Sequence, residues 1–221
     1  MGLLFKLADN RNPRSLAGWL RRRRSALLRD LLASVPRPAR VLDVGGTQAY
    51  WEVAEAAGLE GVTVVLLNRA PPVVTRPGFE SRGGDARAMP ELADQSFDVV
   101  FSNSVIEHVG DRDDQRAMAS EVRRVGKRYF IQTPNRHFPI EPHFLVPGFQ
   151  FLPLEVRVQL VMRFSLGWYA RTPDRAAAHA LATSIELLTG PELAALFPGA
   201  TIHRERFAGL TKSLIAIGGF A

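Results

Sequence analysis

The sequence contains no cysteine and no long hydrophobic run, and each absence excludes a class of protein. Without cysteine there can be no disulfide framework, no zinc–thiolate site and no cysteine nucleophile of the kind used at cytosine C5. No segment approaches the roughly 18–20 apolar residues that cross a bilayer. The apolar start of the chain is short and is interrupted by Lys6 and Asp9, so we do not expect it to act as a signal peptide. We therefore expect a cytoplasmic protein.

Positive charge is in excess and is concentrated near the start of the chain. The 221 residues carry a net charge of +6, and much of the excess lies in Arg11, Arg14 and the run Arg21–Arg24. Asn12-Pro13 predicts the start of a long amphipathic helix that contains this run. A basic helix can bind nucleic acid or anionic lipid. A solvated helix face is the commoner role, and we favour it, with peripheral membrane contact left open.

The most informative segment is VLDVGGT, residues 41–47. It predicts a buried strand that runs into a glycine turn, followed by a helix over 49–59 and a second strand over 62–67. Such βαβ units bind ligands at the carboxyl end of the first strand. A carboxylate in that turn, Asp43, would repel a pyrophosphate but attract an ammonium or sulfonium group. The segment therefore favours S-adenosylmethionine (SAM) over NAD or ATP.

Strand and helix signals alternate along most of the chain, which predicts a single α/β domain. We expect a Rossmann-like, doubly wound, mostly parallel seven-stranded sheet with an antiparallel last strand and a helical cap insertion. The predicted parts are a basic N-terminal helix (1–37), a SAM-binding core (38–133), an acceptor-side cap (134–185) and a closing helix with a strand pair (186–221).

The cap is predicted because residues 134–185 interrupt the alternation of strands and helices, and an insertion of that length is usually functional. Residues 129–169 hold 9 of the 19 aromatic residues of the chain. Leu154, Val158, Val161 and Phe164 have helical spacing. We expect this insertion to form a helical cap over the ligand end of the sheet.

Four segments, in order and at sensible spacing, resemble the class I SAM-dependent methyltransferases of the small-molecule type. They are the glycine turn at 41–47, the end of the second strand at Asn68, the segment Gly84-Asp85-Ala86, and FDVVFSNSVIEHV at 97–109. The resemblance covers roughly residues 38–135 and resumes at about 186–219.

The chain departs from the family pattern at two places. Thr47 and Ala49 stand where the glycine-rich turn often has further glycines, so Thr47 must tolerate the turn. Asn68 stands where the family usually has an acid that accepts from both ribose hydroxyls. An amide accepts only through its oxygen, so ribose binding would be weaker but not lost.

The resemblance implies SAM as cofactor and S-adenosylhomocysteine (SAH) as product. Asp43 would bind the ammonium group, Asn68 the ribose and Asp85 the adenine amino group, while the glycine turn would admit the ligand. The full implied cofactor set is Asp43, Gly45, Gly46, Thr47, Asn68, Asp85, Ala86, Ser102 and Asn103.

The candidate catalytic residues are Glu107, His108, His137 and His143. A histidine, with an unperturbed pKa of about 6.5, suits proton removal from an acceptor hydroxyl. His137 and His143 flank a proline-rich loop that contains Glu141 and is expected to face the acceptor. In each case a purely structural role is the alternative.

We predict no metal site. Glu107-His108 is similar to the end of the Glu-x-x-Glu-His metal motif of ubiquinone-pathway O-methyltransferases. Ser104 stands where that motif has its first acid, so the ligand set is incomplete.

The functional hypothesis is a SAM-dependent methyltransferase that methylates an oxygen of a small-molecule, sugar or lipid-like acceptor by in-line transfer to a nucleophile activated by a general base. The aromatic cap suits an apolar or glycolipid-like acceptor better than a nucleic acid. Two alternatives stay open: an RNA or ribosome methyltransferase that uses the N-terminal arginines, and a non-catalytic SAM-fold binding protein. The sequence leaves the oligomeric state open.

Overall fold

The computed structural model describes residues 15–53 and 59–220 of the chain. Its centre is a seven-stranded sheet with the order β3-β2-β1-β4-β5-β7-β6. The strands are β1 (Ala39–Val44), β2 (Val62–Asn68), β3 (Phe79–Gly83), β4 (Val99–Asn103), β5 (Tyr129–Pro134), β6 (Thr201–Phe207) and β7 (Leu210–Gly218). Strand β7 pairs antiparallel with both neighbours, and the other pairings are parallel. The predicted fold class is thus confirmed.

Six α-helices accompany these strands in the described residues. They are α1 (Leu16–Ala33), α2 (Gln48–Val53), α3 (Arg112–Val125), α4 (Leu154–Arg163), α5 (Arg175–Thr183) and α6 (Gly190–Leu196). Two short 3-10 turns lie at Ile106–His108 and Phe149–Phe151. The predicted helix start at Asn12-Pro13 lies outside the described residues. So do residues 54–58 of the helix predicted over 49–59.

Apolar residues cover both faces of the sheet, because alternate side chains of each strand point to opposite sides. On one face, Leu42 and Val44 of β1 belong to the same core as Met118 and Val122 of α3. On the other face, the core contains Leu28 of α1 and residues of β1, β2, β4 and α2. The central strands are therefore buried on both sides, as a doubly wound sheet requires.

The cap has a core of its own, made of Phe144, Phe149, Val158 and Val161 together with alanines and aliphatic residues of α5 and the segment after it. Helix α4 buries Val158 and Val161 of the predicted stripe, but Phe164 follows the last residue of the helix and is exposed, so the stripe was wrong at that position. The rings of Phe144 and Phe149 stack with their centroids 4.2 Å apart. Tyr169 packs against this core, whereas Phe151, Phe164 and Trp168 are exposed, so only part of the aromatic content of the insertion forms its interior.

Helix α1 does not present all of its arginines to solvent. Arg22 and Arg23 are exposed, in agreement with the interpretation of this run as a solvated face. Arg24 contradicts it: its side chain is buried and forms an ion pair with Glu205 of β6. Its guanidinium also donates to the Asn103 side chain at the end of β4. Arg24 therefore fixes α1 across the carboxyl edge of the sheet. In the described residues, no helix combines the length and apolarity that a bilayer span requires.

Candidate active site

The glycine turn after β1 is built around the carboxylate of Asp43. Asp43 is 1% exposed, and its Oδ2 accepts a hydrogen bond from Trp51 Nε1 of α2 at 2.7 Å. Its Oδ1 is buried without a hydrogen-bond partner. Burial raises the pKa of this carboxyl to about 7, and the bond from Trp51 opposes the rise. One oxygen of Asp43 is therefore available for a cationic ligand in the turn.

The two glycines of this turn are required for different reasons. Gly45 has a φ of +76°, a left-handed conformation that favours glycine, and an added Cβ would lie 2.5 Å from Val105. A Cβ on Gly46 would lie 1.6 Å from Asp43 Oδ2. Gly46 thus leaves room for the Asp43 carboxylate. Thr47 is not among the residues with positive φ, so it follows the turn without that strain.

The ends of β2 and β3 carry the predicted ribose and adenine partners. Asn68 donates from Nδ2 to the carbonyl oxygen of Gly46 at 2.9 Å, so its Oδ1 is the acceptor atom of this amide. Asp85 already holds Arg87 through both carboxylate oxygens and contacts Arg69 at 3.3 Å. The bonds from Arg87 hold the pKa of Asp85 well below its usual range. An adenine amino group would have to share this charged oxygen pair.

Three further residues of the predicted cofactor set form contacts within the protein. Ser102 is fully buried, and its hydroxyl donates to the Val44 carbonyl oxygen at 3.1 Å. Asn103 accepts from Arg24 through its side-chain oxygen. Ala86 packs against the core on the α3 side of the sheet. Among these three residues, Asn103 lines the cavity described below.

The pair Glu107-His108 forms the 3-10 turn after β4. Glu107 is fully buried, and Thr133 donates to its Oε2 at 3.0 Å while its Oε1 has no hydrogen-bond partner. Burial raises the pKa of Glu107 to about 7. Burial of the His108 ring and the nearby charge of His143 lower the pKa of His108 to about 4. His108 is therefore neutral near pH 7.

The cap brings His143 to the same place. His143 Nε2 lies 3.1 Å from His108 Nε2, and the two rings meet edge to face. On its other side, His143 Nδ1 lies 2.6 Å from Glu141 Oε1. Glu141 Oε2 accepts from the backbone N–H groups of His143 at 2.8 Å and Phe144 at 2.6 Å. Glu141 is thus a buried, fixed carboxylate that orients the ring of His143.

These contacts determine where the protons lie. With the Glu141 carboxylate as acceptor at 2.6 Å, the neutral form of His143 has its proton on Nδ1 and its lone pair on Nε2. The Nε2–H of His108 then donates to that lone pair. A hydroxyl group that replaced His108 at this position would have a base ready for its proton.

The same residues are able to surround a cation. Single donor atoms of Glu107, His108 and His143 lie within 4.8 Å of one another. Carboxylate oxygen and imidazole nitrogen are ligands that zinc and other transition metals accept. The sequence predicts no metal here, because Ser104 stands where the ubiquinone-type motif has its first acid. In the structure the Ser104 hydroxyl donates to Gln132 Oε1 at 2.9 Å.

A cavity of about 660 Å³ opens beside these groups at the carboxyl edge of the sheet. Its wall includes Thr47 and Tyr50 next to the glycine turn, Asn103 and Ser104 after β4, and His143 from the cap. The structure thus brings the turn after β1 and His143 to one space. His137, by contrast, is exposed and is not part of that wall; its backbone N–H donates to Asn135 Oδ1 at 3.3 Å.

Several contributors to the site were not found from the sequence. Trp51 packs in the core, and its indole N–H also donates to Asp43. A buried indole N–H usually finds a hydrogen-bond acceptor, and this general preference was the one signal in the sequence for a contact between Trp51 and a polar group. Arg24 and Lys212 lie far from the motifs in the chain, so nothing in the sequence placed them in the cavity wall.

A family model matches the part of the chain that forms strands β1 to β4 and helix α3. Residues 39–129 match the family model described as "Methyltransferase domain". The fold is that of the class I SAM-dependent methyltransferases, and the resemblance predicted from the sequence is thereby confirmed. SAM is the cofactor of that class.

Among curated proteins, the chain is similar to an uncharacterized protein of Mycobacterium tuberculosis that matches in two strains. The identity is 33% over 143 residues, which cover 58% of this chain and 46% of the relative. The chain spans about half the length of the curated relatives it matches.

Two solved structures show the same fold. A SAM-dependent methyltransferase from Aquifex aeolicus is 13% identical, with a TM-score of 0.50 and 87% of each chain covered. The 1,6-didemethyltoxoflavin-N1-methyltransferase of Burkholderia thailandensis, solved with bound 1,6-didemethyltoxoflavin and SAH, is 18% identical. Its TM-score is 0.52, and 90% of this chain and 76% of that chain are covered. At these identities the likeness concerns the fold.

Proposed function

We propose that this protein transfers the methyl group of SAM to a hydroxyl oxygen of a small-molecule, sugar or lipid-like acceptor. One observation carries the proposal. His143, whose Nδ1 lies 2.6 Å from Glu141 Oε1, lines the same cavity as Thr47 and Tyr50 next to the glycine turn of β1. A donor site and a base in one cavity are what methylation of a hydroxyl needs.

On the donor side, Asp43 Oδ1 would accept from the ammonium group of SAM. This oxygen is buried and unpartnered, so a cationic ligand would satisfy it. Gly45 and Gly46 would let the ligand approach the backbone closely, and Asn68 Oδ1 would accept from a ribose hydroxyl. Asp85 would accept from the adenine amino group, with Arg87 and Arg69 holding its carboxylate in place.

On the acceptor side, His143 would take the hydroxyl proton at Nε2 as the oxygen attacks the methyl carbon. The developing imidazolium would be stabilised by Glu141, whose carboxylate is already held by two backbone N–H groups. This is the general logic of a histidine base oriented by a carboxylate. Glu107 and His108 are not part of the described cavity wall, and the acceptor hydroxyl would take the place of His108 Nε2, which lies 3.1 Å from His143 Nε2.

The remaining task is to hold oxygen, methyl carbon and sulfur in line and away from water. SAM already has a good leaving group, so positioning is the main requirement, worth up to about 7–11 kcal/mol in ideal cases. The cap serves this purpose. Trp168 donates from Nε1 to the Pro142 carbonyl oxygen at 3.2 Å. An added Cβ on Gly167 would lie 2.3 Å from the His143 carbonyl oxygen, so this turn packs closely on the base.

The first experiment separates donor binding from catalysis. Calorimetric titration with SAH tests the donor site, and transfer of labelled methyl from SAM into cell extracts tests turnover. We expect micromolar SAH binding by the parent protein, by His143→Gln and by Glu141→Gln. We expect turnover to fall by about 10²–10⁴-fold in His143→Gln.

His203→Gln is the matched control, since His203 is exposed on β6 and is not part of the cavity wall. Absence of SAH binding by the folded parent would refute the donor site. Parental turnover in His143→Gln would refute the assignment of the base. A labelled product whose methyl group is on nitrogen or on RNA would refute O-methylation of a small molecule while leaving the donor site intact.

A further inference from the structure

The side chain of Lys212 lies in the wall of the cavity and lacks a partner in the described structure. Lys212 lies in β7, and its backbone carbonyl oxygen accepts from Asn135 N–H at 2.9 Å, just beyond the end of β5. Its ammonium makes no hydrogen bond or ion pair with any described residue. Burial lowers the pKa of Lys212 to about 8; the charge of Arg24 acts in the same direction, and Glu205 opposes it.

Lys212 is partly buried, and an ammonium that is removed from water without a partner is costly, so such groups usually face a counter-ion. The neighbouring cation Arg24 is already paired with Glu205 and bonded to Asn103. Arg21 also lines the cavity and forms no side-chain ion pair among the described residues. The described residues of the wall include three cationic side chains and no carboxylate. The cavity is therefore suited to an anion.

The position of Lys212 in the sheet separates it from the cofactor. Strand β7 is three strands away from β1 in the order β1-β4-β5-β7, a distance of about 14 Å at the usual strand spacing. The carboxylate of SAM is on the same carbon as the ammonium group that Asp43 would bind. Lys212 thus lies on the acceptor side, and its strand is next to β5, from whose end the chain continues to His143.

We propose that the methyl acceptor carries an oxyanion, a carboxylate or a phosphate, that pairs with Lys212 while its hydroxyl lies at His143 Nε2. This rests on the proposed function and specifies its substrate class. The acceptor would be held at two points, the anion at β7 and the hydroxyl at the cap. Recognition by charge would also discriminate against neutral molecules of similar shape.

The test is calorimetric titration of SAH-saturated protein at pH 7 with inorganic phosphate and, separately, with benzoate. We expect at least one of them to bind in the millimolar range. Lys212→Gln should weaken that binding at least fivefold and leave SAH affinity unchanged. Lys212→Arg, which keeps the charge, should retain the binding. Phosphate binding without benzoate binding would indicate a methyl acceptor that carries a phosphate. Benzoate binding without phosphate binding would indicate one that carries a carboxylate.

Arg82→Gln is the control, because Arg82 is an exposed cation on β3, at the far side of the sheet. Binding of neither anion, or equal binding to the parent and Lys212→Gln, would overturn the proposal. So would a loss of SAH affinity in a folded Lys212→Gln protein, which would assign Lys212 to the cofactor. Failure of the proposed function itself would appear separately, as absence of SAH binding by the parent protein.

Discussion

If Asp43 binds the ammonium group of the ligand, as proposed, SAH affinity should depend on pH, and Asp43→Asn should remove that dependence. The ammonium group of the ligand is attracted to the ionised carboxylate. With a pKa of about 7 in the ligand-free protein, the ionised fraction of Asp43 rises from about one tenth at pH 6 to about nine tenths at pH 8. We therefore expect SAH to bind the parent protein about tenfold more tightly at pH 8 than at pH 6.

Asparagine at this position can still accept a hydrogen bond but has no charge. Loss of a hydrogen bond to a charged partner costs about 1.5–3 kcal/mol. We expect Asp43→Asn to bind SAH about ten- to one-hundredfold more weakly at pH 8, with nearly constant affinity between pH 6 and pH 8. Calorimetric titration at three pH values measures both effects. Equal pH dependence in the parent and the variant would refute the assignment of Asp43 as the ammonium partner.

The Asp43 carboxyl makes the folding stability of the ligand-free protein fall as the pH rises, whereas SAH affinity is expected to increase. A raised carboxyl pKa stabilises the folded protein fully below the ordinary value of 3.8, and this contribution is lost as the pH rises through about 7. The full change corresponds to about 4 kcal/mol, of which about 2 kcal/mol falls between pH 5.5 and pH 8.5. Burial also raises the pKa of Glu107 to about 7, so Glu107 adds a further loss of folding stability as the pH rises.

Chemical denaturation of the ligand-free protein at pH 5.5 and pH 8.5 measures this loss. Asp43→Asn should reduce the loss, while Asp98→Asn should not. The pKa of Asp98 is lowered by bonds from Arg40 and Lys127, so its titration lies below this pH range. A parent protein with equal stability at both pH values would contradict the buried, ionisable carboxylates described above.

Three further outcomes are expected. Gly46→Ala should abolish SAH binding and lower the melting temperature, because its Cβ would overlap the carboxylate beneath the turn, whereas Gly190→Ala, whose nearest neighbour would be 3.9 Å away, should do neither. Arg24→Ala should destabilise the fold by about 3–5 kcal/mol in urea denaturation, since it leaves Glu205 buried and unpaired; a change below 1 kcal/mol would contradict this. Dialysis against a chelator should leave SAH affinity and turnover unchanged, because His108 and His143 hydrogen-bond to each other and need no metal ion as a partner. A stoichiometric metal in the parent protein that is lost in His108→Ala would contradict this.

Local chemistry near the cofactor is readable from the sequence because the βαβ unit is contiguous. A strand, a glycine turn and the next strand lie within residues 39–68, and parallel strands bring their carboxyl ends to one edge. This explains why Asp43, the glycine turn and Asn68 could be proposed before the fold was seen. The family pattern could not give the reason for Gly46, because the clash with Asp43 depends on the path of the turn.

The sequence by itself determined the class of fold, the sheet with its antiparallel last strand, and the kind of cofactor. These depend on hydrophobic periodicity and short motifs, which act over a few residues. Only the tertiary structure decided that Glu141 orients His143, that His143 meets His108, and that His137 lies outside the cavity. It also decided that Arg24 is buried and that Lys212 faces the cavity. These contacts join residues up to 181 positions apart, so they form only when the helices, the cap and the sheet pack together.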